Sequence, residues 1–282
     1  MMKKILGEKM NTKLEEYKEY LKARNQSMVY YNYIKLFLEF CENKQINYLE
    51  INQQIITVFF NENNYSPNSK NNFIKAGRSF YNFLNISREQ NEWFKIKMLE
   101  VMSKERQYMT YDELLQGIKY YATYSKRGID SNKCSVILKF CFFTSIRKSE
   151  LFTLTRDKID LTNCSALVLG IKDKAERIVY FPNSFVKELV DYFNSEPEEA
   201  EKNAFNITPA EFNYLTRKIG KYINKKVTPH TFRHSGGKYM VKKNINPLTM
   251  QRIMGHNSLQ TTLIYCAIDD KQAEENYHNQ IK

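Results

Sequence analysis

Only 9 glycines and 6 prolines punctuate 282 residues, so the chain has few sequence signals for breaking helices. Apolar residues recur at three- and four-residue spacing over most of its length, which predicts a mainly helical protein. Thr12, with Glu15 three residues on, carries the pattern of a capping box and predicts a helix through Leu14, Tyr17, Tyr20 and Leu21. Further helices are expected over Ser27–Phe40, Ile51–Asn61 and Ser69–Phe83. The last carries Lys70, Lys75 and Arg78 among Phe73, Phe80 and Phe83, a candidate nucleic-acid-binding face that equally fits an ordinary solvated face. A polar stretch from Ile86 ends in an expected linker at Ser103–Gln107. The expected domains are residues 10–100 and 108–282.

The second segment predicts helices over Tyr111–Tyr124, Ser131–Phe143 and Ser149–Leu154. Ala166–Ile171 and Arg177–Phe181 read as the two strands of a hairpin, with a charged tip from Lys172 to Glu176. Helical spacing resumes over Asn183–Phe193 and Pro209–Asn224. A further helix runs from Thr228-Pro229-His230 to about Lys243, another opens at Asn246-Pro247 and closes at Gly255, and Ser258 caps one leading to Tyr265.

The formal net charge of +12 favours a polyanionic partner, because each phosphate met by Lys or Arg releases a counterion. Five cysteines with no Cys-x-x-Cys pair argue against a zinc ribbon and a disulfide framework and fit a reducing compartment. No apolar run reaches the 18 or more residues expected of a membrane span. The opening residues are interrupted at Gly7, Glu8, Lys9 and Asn11, too soon for a signal peptide, so a cytoplasmic location is expected. His230 and His234 stand four apart like helical zinc ligands, but Thr231 occupies the position of the metalloprotease glutamate, and no metal is expected.

A different grouping accounts for more. Arg147 lies in TSIRKSEL, His230 and Arg233 in HTFRH, and His256 and Tyr265 in MGHNSLQTTLIY; IKDKAERIV forms the hairpin tip. In this order and spacing, from about residue 108 to 270, these segments resemble the tyrosine recombinases, especially the short two-domain Xer-type members. The resemblance implies a helical core-binding domain followed by a mostly helical catalytic domain with a small sheet, the two clamping a DNA duplex. It implies that Arg147 and Arg233 clamp a scissile phosphate and that Tyr265 attacks it to form a 3′-phosphotyrosine. His230 would be the base, His256 a hydrogen-bond donor to phosphate, and Glu150 a supporting carboxylate. Lys172 would be the general acid, with Lys174 an open alternative because the tip lacks the usual glycines. No cofactor is implied. The expected partners are double-stranded DNA bearing a specific site and further copies of the chain, a dimer on one site and a tetramer in synapsis. The tail after Tyr265 would pack into a neighbouring protomer. A type IB topoisomerase and a catalytically silent DNA-binding protein are the alternative readings.

Overall fold

The computed structural model describes residues 2–101, 107–124, 129–170, 175–196, 203–266 and 278. The chain divides into two compact units, Met1–Lys104 and Glu105–Lys282, each with its own apolar core.

Unit 1 is helical: α1 (Met2–Ala23), α2 (Val29–Asn43), α3 (Gln53–Glu62), α4 (Pro67–Phe83) and the single turn α5 (Glu92–Lys95). Helix α1 runs through Thr12, correcting the expectation that this residue caps it. Of the residues upstream of Thr12 only Gly7 and Asn11 are poor helix formers, so a cap signal inside a permissive run is outvoted. Helix α4 starts two residues earlier than Ser69, with the Ser66 side chain accepting from Ser69 N and Pro67 in the first turn.

The shortage of glycine is met by asparagine. Asn25, Asn64, Asn85, Asn224 and Asn244, together with Gln45, take positive φ just beyond helix ends. Asparagine tolerates this left-handed conformation better than most side chains. At five of these ends the next amide bonds back to a carbonyl of the last turn, as Gln26 N does to Leu21 O at 2.8 Å and Ile86 N to Tyr81 O at 3.0 Å.

The core of unit 1 is aromatic. Trp93, the protein's one tryptophan, is fully buried on α5, edge-on to Phe37 at 4.9 Å. It fits because Gly77 of α4 leaves room: a Cβ there would sit 2.1 Å from the indole. Arg78 fastens the same junction, its Nε donating to Trp93 O at 3.1 Å and its Nη2 to Ile96 O at 2.9 Å.

Unit 2 contains α6 (Tyr111–Tyr124), α7 (Ser131–Thr144), α8 (Lys148–Leu151), β1 (Ile159–Asp160), β2 (Ser165–Val168), β3 (Arg177–Tyr180), α9 (Val186–Ser195), α10 (Pro209–Tyr222), α11 (Pro229–Lys242), α12 (Pro247–Met254) and α13 (Leu259–Leu263). The strands form one antiparallel sheet in the order β1-β2-β3, with Ala166 opposite Val179 and Val168 opposite Arg177. Strand β1, two residues long, carries too little pattern to be read from sequence. Strand β2 ends at Val168 rather than Ile171, because Leu169 and Gly170 leave the ladder. Helix α8 ends at Leu151, short of Leu154. Helix α11 packs on α7, and β3 packs on α12.

Because Trp93 is buried in unit 1, tryptophan emission reports on that unit's unfolding. Gly77→Val forces a branched side chain into the indole, and overpacking of this kind costs about 1–3 kcal/mol or more. The fluorescence midpoint in urea is expected to fall accordingly; an unchanged midpoint would show that α4 and α5 are not packed as described.

Candidate active site

Arg147 is presented by a sharp turn at the end of α7. Ser145 caps that helix in the left-handed conformation, at φ 50°, and Arg147 then opens α8. Its backbone N donates to Glu150 Oε2 and its Nη1 to Glu150 Oε1, both at 2.7 Å, while Nη2 donates to Gly255 O.

Glu150 is 2% exposed and also receives a two-pronged ion pair from Arg177, with both Nη–Oε distances 2.7 Å. Burial alone would raise this carboxyl; the bonds from Arg177 and Arg147 overcome it and hold the group at about 2. Arg177 Nε donates to Ile253 O at 2.7 Å. Arg233, 4% exposed, donates through Nη1 to Ser145 O at 2.7 Å and through Nη2 to Met254 O. Its burial, together with the neighbouring charges of Arg147 and Arg177, pulls its guanidinium down to about 10, still charged at neutral pH.

Helix α11 is set by Thr228, whose side chain accepts from Thr231 N, and by Pro229 in the first turn. His230, Arg233, His234 and Gly237 then fall on one stripe of the helix. The rings of His230 and His234 meet edge to face at 4.3 Å. Tyr265 is 4% exposed, with its Oη 2.6 Å from Nδ1 of His234. Its ring lies against Gly237, where a Cβ would approach to 3.0 Å, and runs parallel to the His256 ring at 6.1 Å. His256 follows Gly255, the left-handed cap of α12, and its Nδ1 is 2.9 Å from Thr262 Oγ1.

Five of the sequence-predicted residues, Arg147, His230, Arg233, His256 and Tyr265, are thus brought together with Glu150. Lys172 and Lys174 lie outside the described residues, as do the tail beyond Cys266, apart from His278, and most of the expected linker. Lys70, Lys75 and Arg78 lie on α4 in unit 1. Lys75 is exposed, Lys70 reaches over the Phe60 ring, and Arg78 is engaged with α5 as described.

Two open clefts flank Arg147. One, of about 830 Å³, is lined by Arg177, Arg252 and His256; the other, of about 510 Å³, by Lys148, His230 and Arg233. Tyr265 lines neither but faces a third cavity, with Tyr108, Phe142, Lys238 and Tyr239. Among the described residues, no group of three or more His, Cys, Asp or Glu could hold a metal ion.

Sequence reading named neither Arg177 nor His234 among the site residues. A period-two signal was available for the first: Arg177 shares its strand face with buried Val179, and an inward arginine demands a partner.

Arg147, Arg177 and Arg233 around the single carboxylate of Glu150 make a site with excess positive charge, opposed to a buried tyrosine. The profile of the phage integrase family matches residues 107–272, and the chain belongs to that family, the tyrosine recombinases. It is 23% identical over 270 residues to the tyrosine recombinase XerA of Thermococcus kodakarensis, covering 92% of this chain and 91% of the relative. It is 28% identical over 221 residues to XerC of Pediococcus pentosaceus, covering 72% of each. Among solved structures, the XerH recombinase bound to its difH substrate superposes with a TM-score of 0.66 at 20% identity, covering 94% of this chain and 83% of that one. The Tn1549 transposon integrase in complex with circular intermediate DNA gives 0.70 at 16% identity, covering 96% and 99%. These likenesses establish the fold.

The Glu150 carboxyl titrates near 4.5 when free and near 2 in the folded chain, so its contribution to stability is complete above about pH 4.5 and is lost as pH falls toward 2. Glu150→Gln removes that component and leaves Arg177 buried without a countercharge, a loss of about 3–5 kcal/mol at neutral pH. Urea unfolding followed by circular dichroism from pH 7 to 2 should show a less stable variant whose acid dependence below pH 4.5 is shallower than the parent's.

Proposed function

We propose that this protein carries out site-specific recombination of double-stranded DNA through a transient 3′-phosphotyrosine. One observation carries the reading: three arginines, all lining open clefts, surround one carboxylate that pairs with two of them, leaving positive charge for an anion to meet.

Arg147 and Arg233 clamp the non-bridging oxygens of the scissile phosphate. A planar guanidinium presents parallel donors to such oxygens and stays charged at working pH. Tyr265 attacks phosphorus, forming the Oη–P bond as the bond to the 5′ oxygen breaks. A free phenol titrates near 10, so a base must take its proton. His230 is assigned that role, and its edge contact with His234, which holds Oη, supports a proton path along the stripe. His256 hydrogen-bonds the phosphate, and Glu150 orients Arg147. Lys172, or Lys174, protonates the leaving oxygen. The phosphotyrosine conserves the bond energy, so religation needs no nucleotide. Because Tyr265 is buried and turned to a different cavity, its phenol swings toward Arg147 and Arg233 when DNA binds.

Residues 10–100 serve as the core-binding domain, with Lys70 and Lys75 offered to the phosphate backbone and Arg78 to both DNA and α5. Residues 108–282 form the catalytic domain, whose tail engages a neighbouring protomer. A dimer occupies one site and a tetramer the synapse. The DNA named in the XerH and Tn1549 complexes supports a duplex partner. A cytoplasmic location follows from that partner.

The test is a library of duplexes nicked near the cleavage position, on which covalent intermediates accumulate. The parent should yield a protein–DNA adduct on a denaturing gel without added nucleotide, and Tyr265→Phe none. Arg233→Ala should slow adduct formation by about 10²–10³-fold, the loss typical of one preorganised donor. An adduct that survives Tyr265→Phe removes the nucleophile assignment. Relaxation of plasmid lacking any special site would instead point to topoisomerase activity.

A further inference from the structure

Arg177 enters the site from the first position of β3, far in sequence from the boxes it touches. Its side chain is 9% exposed. Both Nη atoms bind the Glu150 carboxylate, and Nε binds Ile253 O, so one guanidinium ties the strand to α8 and to the last turn of α12. Glu150 therefore accepts four bonds, two from Arg147 and two from Arg177, which fills the acceptor sites of a carboxylate. The opposite flank is equally tight. A Cβ on Gly255 would come within 2.9 Å of Arg177 Cδ and 3.3 Å of Arg147 Nη1. The two arginines thus both pack against one turn, and that turn delivers His256.

We infer that Arg177 is a positioning residue for the phosphate clamp: through Glu150 and Ile253 it fixes the Arg147 guanidinium and the Gly255–His256 turn relative to each other before DNA arrives. The inference rests on the proposed function and deepens it. Without Arg177, Glu150 keeps its two bonds from Arg147 but loses its tie to β3 and, through Ile253 O, to the last turn of α12. A lysine cannot replace it, since one ammonium cannot hold both carboxylate oxygens in parallel and a carbonyl on a third side.

The decisive comparison is Arg177→Lys against the parent on a nicked duplex that the parent cleaves. The variant should bind that duplex within about threefold of the parent and form adduct about 10²-fold more slowly, the penalty of a misplaced clamp. The same change made in an Arg147→Ala chain should cost clearly less than it does in the parent, because part of its effect runs through the Arg147 guanidinium. A full and independent loss in the Arg147→Ala background, or parental cleavage by Arg177→Lys, would overturn the inference.

Should Arg177→Lys not fold, Glu150→Gln combined with Arg177→Met removes both buried charges at once. That chain should fold and show the same slow cleavage; parental cleavage by it would equally overturn the inference. A readout without DNA separates this inference from the functional reading. The Gly255 and His256 amides bond to Arg252 O and Gln251 O. Their hydrogen exchange should quicken at least tenfold in Arg177→Lys while the amides of α7 stay protected. Unchanged exchange would overturn the positioning role even if the parent cleaved no duplex, whereas quickened exchange with no parental adduct would leave the fault with the functional reading.

Discussion

The whole of the site hangs on one buried carboxylate. Glu150 is the countercharge that lets Arg147 and Arg177 meet in a desolvated space, and Arg233 lies close enough for both to act on it electrostatically. Guanidinium groups repel one another more strongly as water is withdrawn. The remaining donors are turned to carbonyls at helix ends: Ser145 at the end of α7, and Met254 and Gly255 at the end of α12. Such carbonyls lack partners within their own helix and carry the negative end of its dipole. Two helix C-termini and one carboxylate therefore share the task of holding three arginines, leaving part of their charge unanswered in the clefts.

Helix α11 makes the second half of the arrangement possible by being narrow where it is most crowded. Consecutive glycines inside a helix cost roughly 1 kcal/mol each relative to alanine. Here both are pressed from outside: a Cβ on Gly236 would lie 2.2 Å from Phe142 O, and one on Gly237 would meet the Tyr265 ring. The first lets α7 approach, which places Ser145 O where Arg233 can reach it. The second makes the notch in which the phenol rests beside His234. The conformational cost in α11 is offset by closeness on both sides.

Most of the fold was legible because helical spacing is a local property. The expected helices over Tyr111–Tyr124 and Pro209–Asn224, the Asn246-Pro247 start and the Gly255 stop all reappear within a residue or two. The errors have local causes as well: a capping pattern at Thr12 inside a run that favours helix anyway, and a strand of two residues with no period to read. Asparagine in place of glycine at helix ends hid turns that a glycine count would mark. The site was legible as a set of boxes but not as a network. Nothing near Arg177 in sequence says that it faces Glu150, since the partner lies 27 residues away. Nor does the HTFRH segment say which of its histidines reaches Tyr265, because that depends on where α13 lays the ring.

The two halves of the site differ in what holds them. The clamp is built of charge-assisted bonds between fixed elements, roughly twice the strength of neutral ones. Tyr265 is held by a phenol–imidazole bond and by ring contacts with His234 and His256. Contacts of this kind are worth about 0.5–1.5 kcal/mol each. Any rearrangement that brings phenol and phosphate together therefore costs least if the tyrosine moves and the arginines stay. That order also suits the chemistry. In the proposed reaction, donors fixed before charge develops would need no reorganisation as phosphorus is attacked, whereas a tyrosine kept away from the clefts would be exposed only when the energy of binding DNA is there to draw it out. A protein that breaks DNA has reason to be rigid in the part that recognises the phosphate and releasable in the part that attacks it.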